Sequence, residues 1–163
     1  MNSNPAFLLR PAELRDVTAI VQMIRELAEF EQLAHLVQVT PEKLRPHLFG
    51  EKPAAEAWVA EVDSEPVAFA LFFSNFSTFL AQPGLYLEDL YVKPPHRHRG
   101  IGRALLTRLA QLAVQRGHGR FDWSVLDWNE NAIGFYEKIG AVVMPEWRIC
   151  RVSGEALTAL AGH

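Results

Sequence analysis

The chain has 163 residues, 49% hydrophobic and 21% charged, and its net charge of −3 argues against bulk electrostatic binding to nucleic acid. One cysteine, Cys150, excludes an internal disulfide and a zinc site built on several thiolates, and a domain of this length buries roughly 70% of its unfolded surface without such staples. Met1-Asn2-Ser3-Asn4-Pro5 lacks the basic and apolar pattern of a leader, and the longest apolar run, residues 67–73, is far below the roughly 20 residues that span a bilayer. A cytoplasmic protein with no membrane or nucleic-acid partner is therefore expected, folded as a single domain over residues 1–163.

Residues 6–10 read as a first strand, ended by Pro11. Asp16 then caps a long amphipathic helix with Val17, Ile20, Ile24, Leu27 and Ala28 at helical spacing. Thr40-Pro41-Glu42 starts a second helix, which Pro46 should keep short or kinked. Residues 57–62 and 67–73 are rich in β-formers and flank Asp63-Ser64-Glu65-Pro66, a hairpin pattern. A strand over 85–92 stops at Pro94-Pro95. A helix over 101–115 follows, with Ile101, Leu105, Leu109 and Leu112 on its apolar face and Gly117 as its stop. Residues 121–126 read as a strand, and Asn129 caps a helix to Ile139 with Gly140 just past it. Strands at 141–144 and 148–152 and an alanine-rich helix complete the pattern. The fold class is α/β (α+β), a mixed central sheet of about six to seven strands flanked by helices.

The most informative segment is Val92-Lys93-Pro94-Pro95-His96-Arg97-His98-Arg99-Gly100-Ile101-Gly102-Arg103. A strand ends, a basic loop with two glycines follows, and a helix begins. The first amides of a helix have no internal partners, the helix dipole is positive there, and arginine adds charge-assisted donors. Such a cradle suits a pyrophosphate. A P-loop is excluded because no Gly-Lys-Ser/Thr follows. The dinucleotide fingerprint lacks its third glycine, which Leu105 replaces, although Asp122 lies about twenty positions on. A solvated basic loop with no ligand is the bland alternative.

Arg97-His98-Arg99-Gly100-Ile101-Gly102 resembles the phosphate-binding signature of the GNAT superfamily of N-acetyltransferases. Arg10-Pro11-Ala12, Glu26-Leu27-Ala28 with Phe30-Glu31, Leu85-Tyr86-Leu87-Glu88-Asp89, Trp128-Asn129-Glu130, and Phe135-Tyr136 with Gly140-Ala141 are similar to its diamine (spermidine/spermine) and thialysine branch. The resemblance covers essentially the whole chain. It implies acetyl-CoA as acyl donor, no metal, a small cationic amine as partner and a homodimer. It also implies that Leu90, Tyr91 and Val92 meet the acetyl-pantetheine arm through backbone groups. Arg97, His98, Arg99, Gly100, Ile101, Gly102 and Arg103 would hold the pyrophosphate, and Asn129, Glu130, Asn131 and Ala132 would line the rest of the groove. Phe30, Glu31, Glu88, Asp89, Leu126, Asp127 and Trp128 would line the amine site. His98 stands where the branch usually has glycine, Arg99 replaces an apolar residue, and Glu137-Lys138-Ile139 is less basic than is common there.

Acyl transfer from a thioester to an amine poses three problems. Near pH 7.4 about one lysine-like amine in a thousand is neutral, a penalty of roughly 4 kcal/mol. A carboxylate must take the proton, and Glu88, at the end of the strand leading into the loop, is the candidate base. The oxyanion needs backbone N–H groups, and the GNAT resemblance implies a strand bulge within 90–92 that would free one. The departing thiolate needs a proton. The resemblance implies Tyr136 beside the thioester sulfur and makes it the candidate acid, with a core tyrosine sharing a helix face with Ala132 and Ile133 as the alternative. Glu31, Glu88, Asp89 and Asp127 would attract ammonium groups, with Phe30 and Trp128 adding cation–π contact. Direct transfer in a ternary complex is expected, with Cys150 a buried strand residue and not an acyl carrier. None of the six histidines falls into a metal-ligand spacing. The phenylalanines between Phe69 and Phe79 read as core and edge packing of a strand, with a groove or dimer contact as the alternative. A protein lysine as acceptor, an acyl-CoA sensor without turnover, and a nucleic-acid role for the basic loop remain the rival readings.

Overall fold

In the computed structural model, which describes residues 7–162, the chain forms two compact units, Met1–Ser124 and Val125–His163. Ala6 of the expected first strand, and residues 1–5, lie outside the described residues. The first unit is built on a sheet of five strands, β1 (Leu8–Pro11), β2 (Glu56–Val62), β3 (Glu65–Ser77), β4 (Gln82–Val92) and β5 (Phe121–Trp123), in that spatial order. Neighbours are antiparallel except β4 and β5, which run parallel. The sheet is mixed, as expected, with fewer strands than expected.

Burial explains where the helices sit. Six consecutive residues of β3, 67–72, are buried, which requires cover on both faces. On one face α1 (Val17–Phe30) and α2 (Pro41–Phe49) pack Ile20, Met23 and Leu48 on Ala57, Val59, Phe69, Leu71 and Tyr91. The alternating residues face α3 (Ile101–Gln115), whose Arg108 guanidinium lies 4.6 Å from the Trp58 ring centroid. The β2–β3 turn is tighter than the sequence suggests. Asp63 and Ser64 both take positive φ, so pairing resumes at Glu65 in a two-residue hairpin. Strand β3 also runs past Phe73 to Ser77. Phe69 and Phe72 are buried, whereas Phe76 and Phe79 project into solvent at the far end of the hairpin and are not core.

Asp16 stands at the N-terminus of α1, yet its carboxylate does not cap that helix. It accepts hydrogen bonds from the Arg10 guanidinium at 2.6 and 3.0 Å and from the Glu13 N–H at 2.7 Å, and Arg10 also bonds Glu61 at 2.6 Å. This nearly buried triad ties β1 and β2 to the start of α1. Thr40 does cap α2, accepting from the Lys43 N–H at 3.3 Å, and the helix remains short, ending at Phe49.

The second unit contains α4 (Glu130–Lys138) and α5 (Gly154–Leu160). The strands expected at 141–144 and 148–152 are absent. Those residues have no regular structure, and Cys150 is exposed, not a buried strand residue. None of the described residues of this unit is buried, so local apolar content there does not find the neighbours that a strand needs.

Candidate functional site

Strand β4 carries most of the first unit's candidate chemistry because its ladder is interrupted. Leu71 pairs with Asp89, but Phe72 pairs with Leu87, which leaves Glu88 as the extra residue of a β-bulge. The family resemblance put a bulge within 90–92; the register across β3 places it at Glu88. On the other side, the Leu85 N–H bonds Arg120 O at 3.0 Å, and pairing with β5 ends at Leu87 opposite Trp123. Beyond that point no strand among the described residues pairs with this edge of β4.

Strand alternation then assigns each backbone group. The Lys93 N–H bonds Val67 O at 2.9 Å, toward β3. Stepping back by two puts the N–H and C=O of Tyr91 and Asp89 on the β3 side as well, and those of Leu90 and Val92 on the open edge. Val92 O accepts from Arg97 Nε at 2.9 Å. The Leu90 groups and the Val92 N–H are left to meet an extended ligand. Tyr91, expected to offer backbone groups here, faces β3 instead, and its ring belongs to the core under α1.

The loop after β4 leads into the N-terminus of α3. Gly100 has φ 81°, and its carbonyl accepts the first helical bond, from the Ala104 N–H at 2.9 Å. The N–H groups of Ile101, Gly102 and Arg103 therefore lack intrahelical partners. His98 adopts φ 61°, a left-handed conformation that costs a non-glycine residue about 1–2 kcal/mol. The ion pairs among the described residues involve Arg10, Arg15, Arg116 and Arg120 and leave Lys93, Arg99 and Arg103 out. Unneutralised cations around three open amides fit a pyrophosphate, and the open edge of β4 fits the amide-bearing arm of CoA.

The bulge also sets the electrostatics. Glu88 is exposed and Asp89 half-buried. Burial, with the charges of Glu88 and then Glu31 added, pushes the Asp89 carboxyl up to about 6. Burial raises Glu31 too. Phe30 and Glu31 lie at the C-terminal end of α1, and the Arg97 guanidinium lies 5.6 Å from the Phe30 ring centroid and 5.5 Å from that of Tyr91. Sequence reasoning passed over Tyr86, whose hydroxyl pairs with Ser124 Oγ at 2.8 Å and whose ring stacks on Phe73 at 5.2 Å. Tyr86 shares a sheet face with Asp89 only because of the bulge, a shift of register that no local pattern announces.

In the second unit, Leu126, Asp127 and Trp128 form the turn before α4, and the Asn129 N–H bonds Leu126 O at 3.0 Å. Asn129 caps the helix as expected, accepting from the Ala132 N–H at 3.2 Å, so Glu130, Asn131 and Ala132 make its first turn. Tyr136 lies on α4, half-buried, its ring 5.5 Å from that of Phe135. Gly140, at φ 97°, ends the turn with its N–H on Glu137 O.

Among the described residues no group of three metal-ligating side chains occurs, and no helix is long and apolar enough to cross a membrane.

Residues 21–141 match the family described as "Acetyltransferase (GNAT) family". The chain is 39% identical to a thialysine N-epsilon-acetyltransferase of Mus musculus, over 95% of this chain and 97% of the relative. It is 34% identical to the L-ornithine N5-acetyltransferase of Arabidopsis thaliana, over 93% and 86% respectively. Among solved structures, an integron cassette protein from the mobile metagenome of V. cholerae shares the fold with a TM-score of 0.81, 24% identity and coverage of 98% of this chain and 100% of that one.

Proposed function

Because the chain belongs to the Acetyltransferase (GNAT) family and so is an acetyl-CoA-dependent N-acetyltransferase, we propose that it acetylates the side-chain amine of a diamino acid or a related diamine by direct transfer, as one domain over residues 1–163. The observation that carries this reading is the adjacency, along β4, of a carboxyl pair, an open backbone edge and an anion cradle.

Bound at that edge, acetyl-CoA supplies the activated acyl group. The Leu90 main-chain groups and the Val92 N–H orient its arm, and one of these two N–H groups stabilises negative charge developing on the acyl oxygen. Ile101, Gly102 and Arg103 hold the diphosphate through their amides, with Arg99, His98 and Arg103 side chains around it. Asn129 to Ala132 are assigned to the remainder of the cofactor groove. Phe30, Glu31 and Asp89 are assigned to the amine in the first unit, and Leu126, Asp127 and Trp128 carry an amine-binding assignment from the family resemblance alone. Glu88 was the base that sequence pointed to. The burial of Asp89 makes its carboxyl the better match to a proton transfer near neutrality, with exposed Glu88 beside it passing the proton to solvent. Tyr136 is assigned to protonate the departing thiolate.

The relatives named for thialysine and ornithine support the amine class, and the acidic pair at the bulge suits a cation. A cytoplasmic homodimer is part of the same reading. Val142, Met144, Trp147 and Ile149 are exposed in the second unit, and a second copy would cover them. Release of CoA measured against amines of graded length and charge tests the function. Turnover should be highest with diamino acids and short diamines; CoA binding without turnover on any cationic amine would refute it.

A further inference from the structure

Arg97 occupies the first position of the phosphate-loop pattern, which reads it as a cofactor ligand. Its side chain is committed elsewhere. Nε donates to the carbonyl of Val92, five residues back, at 2.9 Å. The guanidinium carbon lies over two rings, 5.6 Å from the centroid of Phe30 and 5.5 Å from that of Tyr91. Those rings belong to different elements: Phe30 is the last residue of α1, and Tyr91 packs under Ile20 and Met23 of the same helix.

One rigid group thus joins three pieces of the first unit. It satisfies a carbonyl on the edge of β4 that β5 leaves open, it closes the loop back onto the strand, and it holds the end of α1. Glu31 follows Phe30 directly, and its charge reaches Asp89 at the bulge. A flexible ammonium could not do this. The planar, delocalised guanidinium donates in its own plane while stacking on aromatic faces, whereas lysine offers a point charge on a mobile stem.

We propose that Arg97 is a positioning residue that ties the cofactor-binding edge of β4 to the amine-binding end of α1, and is not a ligand of the cofactor's phosphates. This rests on the transferase reading above. Removing Arg97 should loosen Phe30 and Glu31, and so weaken amine binding far more than binding of CoA to its backbone cradle.

The test compares wild type with Arg97→Gln and Arg97→Lys. The Kd for CoA is measured by calorimetry, and the KM for the diamino acid that the wild type uses best at saturating acetyl-CoA. Both variants should raise the amine KM about tenfold or more while the CoA Kd changes less than about threefold, and lysine should rescue nothing. A phosphate ligand would behave in the opposite way: CoA affinity would fall with glutamine, recover with lysine, and the amine KM would hold. An amine effect no larger than the CoA effect overturns the proposal. Should Arg97→Gln fail to fold, Arg97→Lys carries the same comparison alone. A wild type that binds CoA and acetylates no amine refutes the transferase reading itself, and with it this proposal; turnover with the wrong ratio refutes only Arg97's role.

Discussion

Replacing Asp89 by asparagine should make the protein more stable and less active, and the two effects share one cause. The side chain keeps its shape but loses a charge that its surroundings disfavour. Burial first, then the charges of Glu88 and Glu31, raise its carboxyl from the ordinary 3.8 to about 6. At about 1.4 kcal/mol per pH unit, holding this group ionised above pH 7 costs the folded state about 3 kcal/mol. Water still reaches the half-buried carboxyl, so about 2 kcal/mol is a fair expectation for the gain on substitution. For a chain of this length that is a rise in Tm of about 4–8 °C at pH 8.

The sign is set by proton counts. Between about pH 4 and 6 the folded state holds the Asp89 proton and the unfolded state has released it, so this group's contribution falls as pH rises through that window and is flat above it. The advantage of Asp89→Asn should be near zero at pH 4, grow to pH 6 and then stay constant. Thermal unfolding of both proteins at half-unit steps from pH 4 to 8 measures this. In parallel, kcat should fall by about 10²–10⁴ if Asp89 takes the amine's proton, and the acidic limb of the wild-type rate profile should bend near pH 6. A Tm difference independent of pH would refute the burial argument. An unchanged kcat would refute the base assignment and return it to Glu88.

Three further outcomes follow from other parts of the fold. Tyr136→Phe should lower kcat by about 10²-fold or more with CoA affinity unchanged, since only the hydroxyl is lost; calorimetry alongside steady-state rates checks it. His98→Gly should relieve a left-handed backbone at φ 61°, giving about 1 kcal/mol in urea unfolding while acetyl-CoA KM stays the same or improves. Asp16→Ala should cost about 3 kcal/mol or more, because it strips two hydrogen bonds from the nearly buried Arg10 and one from the Glu13 N–H. The Arg10 guanidinium holds the Asp16 carboxyl below its ordinary range, so wild-type stability from this pair is present above about pH 4 and lost in acid, as a pH series of Tm values should show.

Sequence by itself determined what depends on neighbours along the chain. Thr40 before Pro41, Asn129 before Glu130, and the glycines at 117 and 140 marked helix ends because capping is a matter of three or four residues. The run from Lys93 to Arg103 announced a strand end, a glycine-containing loop and a helix start for the same reason, since all three are local. What tertiary structure decided is everything summed over distant partners. Whether Glu88 or a residue within 90–92 is bulged depends on register against Leu71 and Phe72, and so does the edge to which Tyr91 turns. Asp89's affinity for its proton depends on burial and on Glu31, far away in the sequence. Asp16 read as a cap and became an ion-pair partner because β1 and β2 bring Arg10 and Glu61 beside it. Residues 141–144 and 148–152 have the composition of strands, but a strand exists only where another backbone lies alongside to bond it.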